Sequence, residues 1–309
     1  MHRSKQNEAK PFIKWVGGKT QLLADIEKYL PIDLLRQEAT YVEPFVGGGS
    51  VLFWILQKFP NITRAVINDI NPKLINTYQV VKDNSNELIA RLYTLEDEYL
   101  PLKHEDRTVY FLERRKQFNT FNLSCVEYAA LFIFLNKTCF NGLYRENAKG
   151  QFNVPHGRYD KPMICNEETI RADAELLQKV EIMNGDFAAT EVFAGKHTLF
   201  YFDPPYKPLN DTSSFNNYVK ERFDDAEQVR LKDFCTRVAS KGSKFILSNS
   251  DVRSVNPANN FFDNLYSEYI IHRVMATRMV NSKADKRGKL TELMISNVKE
   301  EVVPNLFNI

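Results

Sequence analysis

At 309 residues, with 43% hydrophobic and 26% charged residues, the chain has the balance of a soluble globular protein of one large or two ordinary domains. A formal net charge of +2 excludes a uniformly basic nucleic-acid coat, and Cys125, Cys139, Cys165 and Cys235 form no Cys-x-x-Cys pair, which argues against a zinc site and a secreted disulfide scaffold. The N-terminal MHRSKQNEAK lacks the apolar core of a signal peptide, and the longest apolar run, Ala129 to Leu135, is too short for a bilayer. The expectation is a cytoplasmic protein with no membrane partner and no metal.

In chain order, apolar residues from Thr20 to Tyr29 fall at helical spacing, and Tyr41 to Phe45 is a short buried-type strand ending at Gly47-Gly48-Gly49. Ser50 to Phe59 reads as a helix and Ala65 to Ile67 as a second strand ending at Asn68-Asp69. Strand, Gly-rich turn, helix and strand in that order predict a parallel sheet. From about Pro72 to Leu135 helical spacing dominates, and a loop rich in Asn and Gly follows from Asn136 to Tyr159. After Glu167 strands and helices alternate again: Glu181 to Met183, Thr198 to Phe202, a helix from Asp224 to Ala239, and Lys244 to Leu247. Tyr269 to Met275 and Leu290 to Ser296 pair as a hairpin around a basic loop. The fold class is therefore α/β, interrupted by a mainly helical insertion.

The Phe45-Val46-Gly47-Gly48-Gly49 turn permits sharp chain reversal and close approach to a ligand, and the next strand ends at Asp69, twenty residues after Gly49. A carboxylate there can accept both hydroxyls of a ribose. A nicotinamide fingerprint would need a small residue where Leu52 stands, so a phosphate-free nucleoside such as S-adenosylmethionine fits better. Lys14-Trp15-Val16-Gly17-Gly18-Lys19-Thr20 ends like a P-loop but carries Ile13 where the first glycine would stand. What remains is a Gly-Gly turn with Lys19 able to reach a carboxylate and Trp15 able to pack on an apolar surface.

Asp203-Pro204-Pro205-Tyr206 follows the strand Leu199 to Phe202, and two prolines force the chain out of the sheet at its ligand-binding edge. An aromatic amine is a poor nucleophile because its lone pair is delocalised into the ring. Asp203 can accept one of its N–H bonds and the Pro204 carbonyl, fixed by Pro205, the other. Tyr206 can stack on the base. The methyl donor is already activated as a sulfonium, so alignment, worth roughly 7–11 kcal/mol, would dominate the catalysis.

With these motifs in order, the chain resembles the Dam-type adenine-N6 DNA methyltransferases (D12 class, alpha group) from about Phe12 to Asn297. Asn141-Gly142-Leu143-Tyr144-Arg145 and Phe152-Asn153-Val154-Pro155-x-Gly157-x-Tyr159 are similar to that family's recognition region. The resemblance implies a Rossmann-like S-adenosylmethionine-dependent methyltransferase domain (residues 1–71 and 168–309) with an inserted helical target-recognition domain (72–167). It implies that Trp15, Lys19, Asp69 and Asp203 line the cofactor site, with Phe45, Gly47 and Gly49 beside it and Asp186 bordering the cofactor's adenine. It also implies that Lys14, Phe140, Asn141, Leu143, Arg145 and Pro155 read double-stranded DNA, usually at GATC. In that scheme Arg145 takes a guanine edge, Asn141 pairs with the orphaned base, and Phe140 fills the vacated stack.

Charge distribution agrees. From Lys137 to Lys161 five Lys/Arg stand against two acids, a net of +3; from Ile271 to Leu290 six stand against Asp285 alone, a net of +5. Lys283, Lys286, Arg287 and Lys289 of the second segment would hold phosphates in a DNA-binding enzyme, although charge by itself slightly favours two solvated loops. The competing expectations are a longer GAT-containing site, the same chemistry on an RNA or protein amide nitrogen, and a DNA-binding module without activity. An RNA or protein amide enzyme more often has Asn where this chain has Asp203, and no catalytic position is decayed. A monomer is expected for an enzyme that modifies one strand at a time.

Overall fold

The computed structural model describes residues 8–31, 36–120, 122–209, 223–276 and 290–298. Its strands are β1 (Ala39–Glu43), β2 (Ile62–Asp69), β3 (Val180–Asn184), β4 (Thr198–Phe202), β5 (Lys244–Ser250), β6 (Ile270–Ala276) and β7 (Leu290–Ser296). They form one sheet in the order β3-β2-β1-β4-β5-β7-β6, parallel except for β7, which runs antiparallel to both β5 and β6. This is a mixed α/β sheet of the Rossmann-like methyltransferase kind. The β6–β7 hairpin and the parallel strands fall where the sequence pattern puts them.

The strands are apolar on both faces because both faces are covered. On β4, Leu199 and Tyr201 join one core, while Phe200 and Phe202 join the other. β1 divides in the same way: Tyr41 faces the first core and Val42 the second. Each of these buried side chains contributes about 1.5–3 kcal/mol relative to exposure. The period of two is what makes one run serve two layers.

Helices α1 (Leu23–Lys28) and α2 (Ser50–Lys58) belong to the first sheet layer, and α8 (Asp225–Ser240) and α9 (Phe261–Leu265) cover the opposite side. The residues from Thr20 to Leu22 form a 3₁₀ turn, so the first predicted helix begins later than its apolar spacing suggests. Between β2 and β3 the chain makes α3 (Pro72–Asp83), α4 (Ser85–Tyr99), α5 (His104–Thr120), α6 (Cys125–Thr138) and α7 (Glu167–Leu177). The helical insertion is thus one enlarged crossover. Its start is marked chemically: Asn71 accepts the N–H groups of Lys73 and Leu74, with Pro72 at the first helical position.

The apolar run noted in the sequence is the middle of α6, where every residue from Ala129 to Asn136 is buried. A helix apolar all round is a core helix, and α6 is the one around which α3, α4 and α5 pack. It extends to Thr138, so Asn136 is the last turn of a helix rather than the start of the predicted loop. Among the described residues no helix is long and apolar enough to cross a membrane.

Candidate active site

β1 is the switch point of the sheet: the chain leaves it outward to β2 and β3, then returns on its other side to β4 and β5. Ligands of open α/β sheets bind beyond the carboxyl ends of the strands at such a point. The two motifs that follow β1 and β4, the glycine turn and Asp203-Pro204-Pro205-Tyr206, therefore meet there.

Packing dictates the three glycines. A Cβ on Gly47 would lie 2.9 Å from Trp15 Cδ1, and one on Gly48 would lie 2.9 Å from Trp15 Cβ. A Cβ on Gly49, at φ +75°, would overlap the Tyr78 hydroxyl. The glycines thus let the turn seat against Trp15 and Tyr78, a reason beyond the ligand approach expected from sequence. Tyr78 also donates its hydroxyl hydrogen to the Gly47 carbonyl at 3.0 Å. Trp15 is half-buried and stacks on Tyr144 with ring centroids 5.4 Å apart, so an aromatic from the insertion touches the glycine turn through it.

Lys19 is 5% exposed and lies at the centre of the site. Its ammonium donates to the Gly17 carbonyl at 2.6 Å, forms an ion pair with Asp203 Oδ1 at 2.7 Å, and sits 4.6 Å from the Tyr206 ring centroid. Its backbone N–H donates to Ser50 Oγ at the head of α2, which fixes the turn before it. The ammonium thus bridges the Gly17 carbonyl and the Asp203 carboxylate. Burial pushes the Asp203 carboxyl up from its ordinary value, and the Lys19 charge opposes that rise. Behind the pair, Tyr41 donates to Glu43 Oε2 at 2.7 Å, and burial holds Glu43 well above the usual carboxylate range. Tyr201 shares a 2.8 Å hydrogen bond with Ser248 in the same buried layer.

The tetrapeptide is braced from the far side of the sheet. Tyr206 donates to Glu292 Oε2 on β7 at 2.8 Å. Gln228 on α8 donates to the Pro205 carbonyl at 3.3 Å and accepts from Asn249, whose Oδ1 takes the Lys207 N–H at 3.2 Å. Gln228 and Asn249 are both completely buried, so their amides serve the loop rather than solvent.

Asp69 lies half-buried at the mouth of the crevice. Its Oδ2 accepts the Gly47 N–H at 3.1 Å and its Oδ1 the Asn71 N–H at 2.9 Å, while burial raises its pKa. Buried Asn68 donates to the carbonyls of Pro44 and Gly185, tying the loops after β1 and β3 together, and its Oδ1 has no hydrogen-bond partner. Asp186 accepts a forked pair of bonds from Arg230 at 3.0 and 2.7 Å, and the same guanidinium lies 4.1 Å from the Phe187 ring centroid. That fork, together with the Ala188 N–H, holds the Asp186 pKa below its ordinary value. Phe45 completes this wall, 5.3 Å from Phe187 between ring centroids.

The predicted DNA-reading residues gather on a second surface. Asn136 accepts the Lys14 N–H at 2.8 Å and donates to the carbonyls of Lys14 and Gly142, joining the N-terminal motif to the loop after α6. Phe140 is 51% exposed despite its size, and its N–H donates to the Pro155 carbonyl at 2.9 Å. Asn141 is exposed in the left-handed region at φ 56° and donates its N–H to the Tyr159 hydroxyl at 2.9 Å. Exposed Arg145 donates through Nε to Asn153 Oδ1 at 2.7 Å, and Leu143 is half-buried against the core.

Two sets are brought together: Trp15, Lys19, the glycine turn, Asp203 and Tyr206 at the crevice, and Lys14, Phe140, Asn141, Arg145 and Pro155 around one loop. Lys283, Lys286, Arg287 and Lys289 lie outside the described residues. Arg273, counted in that same basic segment, is engaged by Asp251 and Asp263, so its charge serves the fold. Sequence reasoning missed Glu43, Glu292, Gln228, Asn249 and Arg230. An acid ending a buried strand and a glutamine on the buried face of α8 were the available signals. Among the described residues no group of three or more His, Cys, Asp or Glu is arranged to hold a metal ion.

The family model described as D12 class N6 adenine-specific DNA methyltransferase matches residues 15–280. A type II methyltransferase, M.MjaIII of Methanocaldococcus jannaschii, is 46% identical over 294 residues, covering 94% of this chain and 99% of that protein. M1.LlaDCHI of Lactococcus lactis subsp. cremoris, also named a type II methyltransferase, is 39% identical over 93% of this chain and 95% of that protein. A DNA adenine methylase of Haemophilus influenzae is 32% identical, with 92% of each chain covered.

Proposed function

This chain belongs to the D12 class N6 adenine-specific DNA methyltransferases, and on that premise we propose that it methylates an adenine everted from duplex DNA, within GATC, using S-adenosylmethionine. The single observation that carries the mechanism is the Lys19–Asp203–Tyr206 cluster at the switch point of the sheet. Family membership alone makes the chain an enzyme acting on DNA adenine. The cluster supports how it acts.

The residues around the crevice suit a nucleoside rich in hydrogen-bond donors. Asp69 has lone pairs left for ribose hydroxyls, and the buried oxygen Asn68 Oδ1 lacks a hydrogen-bond partner that a ligand's donor would supply. We assign Trp15, Lys19, Phe45, Gly47, Gly49, Asp69, Asp186 and Asp203 to this site. S-adenosylmethionine, when bound, supplies a methyl group already activated on a sulfonium.

The protein's own part is alignment and charge. Asp203 Oδ accepts one N–H of the adenine amine and the Pro204 carbonyl the other, which localises the nitrogen lone pair. Lys19 favours the ionised form of Asp203 and so opposes the push of burial. It also occupies space over the Tyr206 ring, so the ring's opposite face is the one available to the base. Glu292 and Lys19 together fix the plane of Tyr206. The proton released after transfer is held transiently at Asp203 before it passes to solvent. The target must leave the helix because its amine is otherwise hidden in a base pair.

We assign residues 72–167 to target recognition and 1–71 with 168–309 to catalysis and cofactor binding. Lys14, Phe140, Asn141, Leu143, Arg145 and Pro155 would read the site, with the protein working as a monomer. The test is methyl transfer to duplex DNA, RNA and protein in parallel, with Asp203→Ala beside the native chain, followed by sequencing of the methylated DNA. Transfer to duplex adenine that Asp203→Ala abolishes is expected, with modification confined to GATC. Near-normal turnover by Asp203→Ala would overturn the mechanism, and modification at a longer GAT-containing site would overturn the assigned target.

A further inference from the structure

The loop that carries the predicted reading residues has little secondary structure of its own. Between Thr138 and Asp160 its ladder contacts are the isolated bridges Cys139–His156 and Glu146–Phe152. It also holds Asn141 and Arg158, the non-glycine residues with positive φ among those described, each at 56°. Backbone in that region is strained and persists only where the surroundings impose it. Something outside the loop must therefore set its shape.

Helix α5 does so along one face. Asn119 accepts the Phe152 N–H and donates to the Phe152 carbonyl, both at 2.9 Å. Arg115 donates to the Val154 carbonyl at 3.2 Å. The Thr108 hydroxyl meets His156 Nδ1 at 3.0 Å, while His156 Nε2 meets the Tyr99 hydroxyl at 2.7 Å. Buried Arg107 donates to the carbonyls of Tyr159 at 3.3 Å and Asp160 at 2.7 Å, and to that of Leu100. Rings alternate with these fasteners: Phe118 lies against Phe152 and Phe111 against His156, with centroids 6.2 and 5.1 Å apart.

The contacts run antiparallel in strict order, positions 119, 115, 108 and 107 of the helix meeting 152, 154, 156 and 159–160 of the loop. The spacing is commensurate where it begins. Four residues of helix rise about 6 Å, and two residues of extended chain advance about 6.6 Å. The far side of the same segment carries the reading residues: Pro155 holds the Phe140 N–H, Asn153 holds Arg145, and the Tyr159 hydroxyl holds Asn141. Gly157 is needed for this fold-back, because a Cβ there would lie 2.6 Å from the Cys139 carbonyl oxygen and from Tyr159 Cε2.

We propose that α5 is a rail that sets the register of the DNA-reading loop, and that Arg107, Thr108 and Asn119 are specificity-determining positioning residues of the methylation reaction although they lie behind the surface that meets DNA. This rests on the assignment of that loop to target recognition. A rail displaced at one fastener lets Arg145 and Asn141 slip against the base edges without touching the crevice where the methyl group moves.

The experiment compares Asn119→Ala and Thr108→Val in the full chain with Arg145→Ala as the front-layer control. Each is assayed for kcat/KM on a duplex with the preferred site, on duplexes with one base pair altered, and for cofactor Kd. Loss of a well-placed base contact costs about 1–3 kcal/mol, so the preference for the intact site is expected to fall about 5- to 150-fold in Asn119→Ala, and in the same direction in Thr108→Val. Cofactor Kd stays at the native value. A purely structural role would lower turnover on every duplex in equal proportion. Unchanged preference in both rail variants, with Arg145→Ala impaired, overturns the rail alone; unchanged preference in all three overturns the recognition assignment beneath it. Thr108→Val replaces a hydroxyl by a methyl of equal size, so it decides the matter should Asn119→Ala fail to fold.

Discussion

Replacing Lys19 by Met should shift the pH dependence of catalysis rather than merely weaken it. At 2.7 Å the Lys19–Asp203 attraction is about 6 kcal/mol for an effective dielectric of about 20. Desolvation offsets much of this, because the two side chains are only 5% and 20% exposed. The net effect of such a partner on a carboxylate is about 1–3 pKa units. Burial already raises Asp203, and the Lys19 charge is the main effect opposing that rise, so removal of the ammonium lets the carboxyl climb further. In the proposed mechanism the ionised form accepts the adenine amine, so the acid limb of the kcat/KM profile should move up by about 1–3 pH units, a 10- to 1000-fold loss on the acidic side that recovers towards alkaline pH. Lys19→Arg, which keeps the charge, should restore most of the native profile. Breaking a buried pair also costs about 3–5 kcal/mol of stability, so melting must be followed across the same pH range. A uniform drop in activity with the acid limb at its native position would refute the role given to Lys19.

Three further outcomes follow from the same contacts. Tyr206→Phe loses the hydroxyl bond to Glu292 but keeps the ring, so kcat should fall less than about tenfold, a loss of ~1 kcal/mol; Tyr206→Ala should lose at least an order of magnitude more, as single-turnover transfer to duplex DNA will show. Gly49→Ala places a methyl on the Tyr78 hydroxyl at φ +75°, and thermal unfolding should report a loss of about 1–3 kcal/mol or more. Asp173 is completely exposure-free on α7, accepts the Lys10 N–H, and has its pKa raised to about 8, chiefly by burial. Its stabilising neutral form is fully present below the unfolded value of 3.8 and is lost as pH rises towards 8. Asp173→Asn does not ionise, so its melting temperature should gain on the native chain between pH 5 and 8; a constant difference across that window would contradict the assignment.

The sheet was legible because its strands are short apolar runs bounded by chemistry that stops them. β4 ends where Pro204 and Pro205 leave the ladder, β1 ends at a glycine turn, and β2 ends at Asp69. Each boundary is a local steric fact, visible without partners. The hairpin was legible for the related reason that its two apolar stretches flank a charged interval. Helix α5 was far less distinct, since its buried residues are Arg107, Phe111 and Phe118, a thin stripe with an arginine in it. Its identity as a packing face comes from the loop it holds, which lies more than thirty residues downstream. The same holds for Asn136, whose amide reads as a turn residue until Lys14 and Gly142 are brought to it.

The site divides along the same line. Asp69 at the end of β2, Asp203 and Tyr206 just past β4, and Lys19 after a Gly-Gly turn announce themselves by residue type and local sequence. What holds them does not. Glu292 reaches Tyr206 from 86 residues away and Arg230 reaches Asp186 across 44, distances over which spacing carries no information. Even the glycine turn was legible for only part of its reason: Gly47 and Gly48 are small because Trp15 lies on them, and that tryptophan is sandwiched against Tyr144 of the insertion. A single ring therefore joins the glycine turn after β1 to the helical insertion between β2 and β3. If the loop after α6 reads DNA as proposed, a displacement of it that moved Tyr144 would press on Trp15, and through it on the backbone that Asp69 holds by the Gly47 N–H. Under the proposed assignments, placement of the target and placement of the methyl donor would be linked by this steric contact, which the absence of two Cβ atoms makes close.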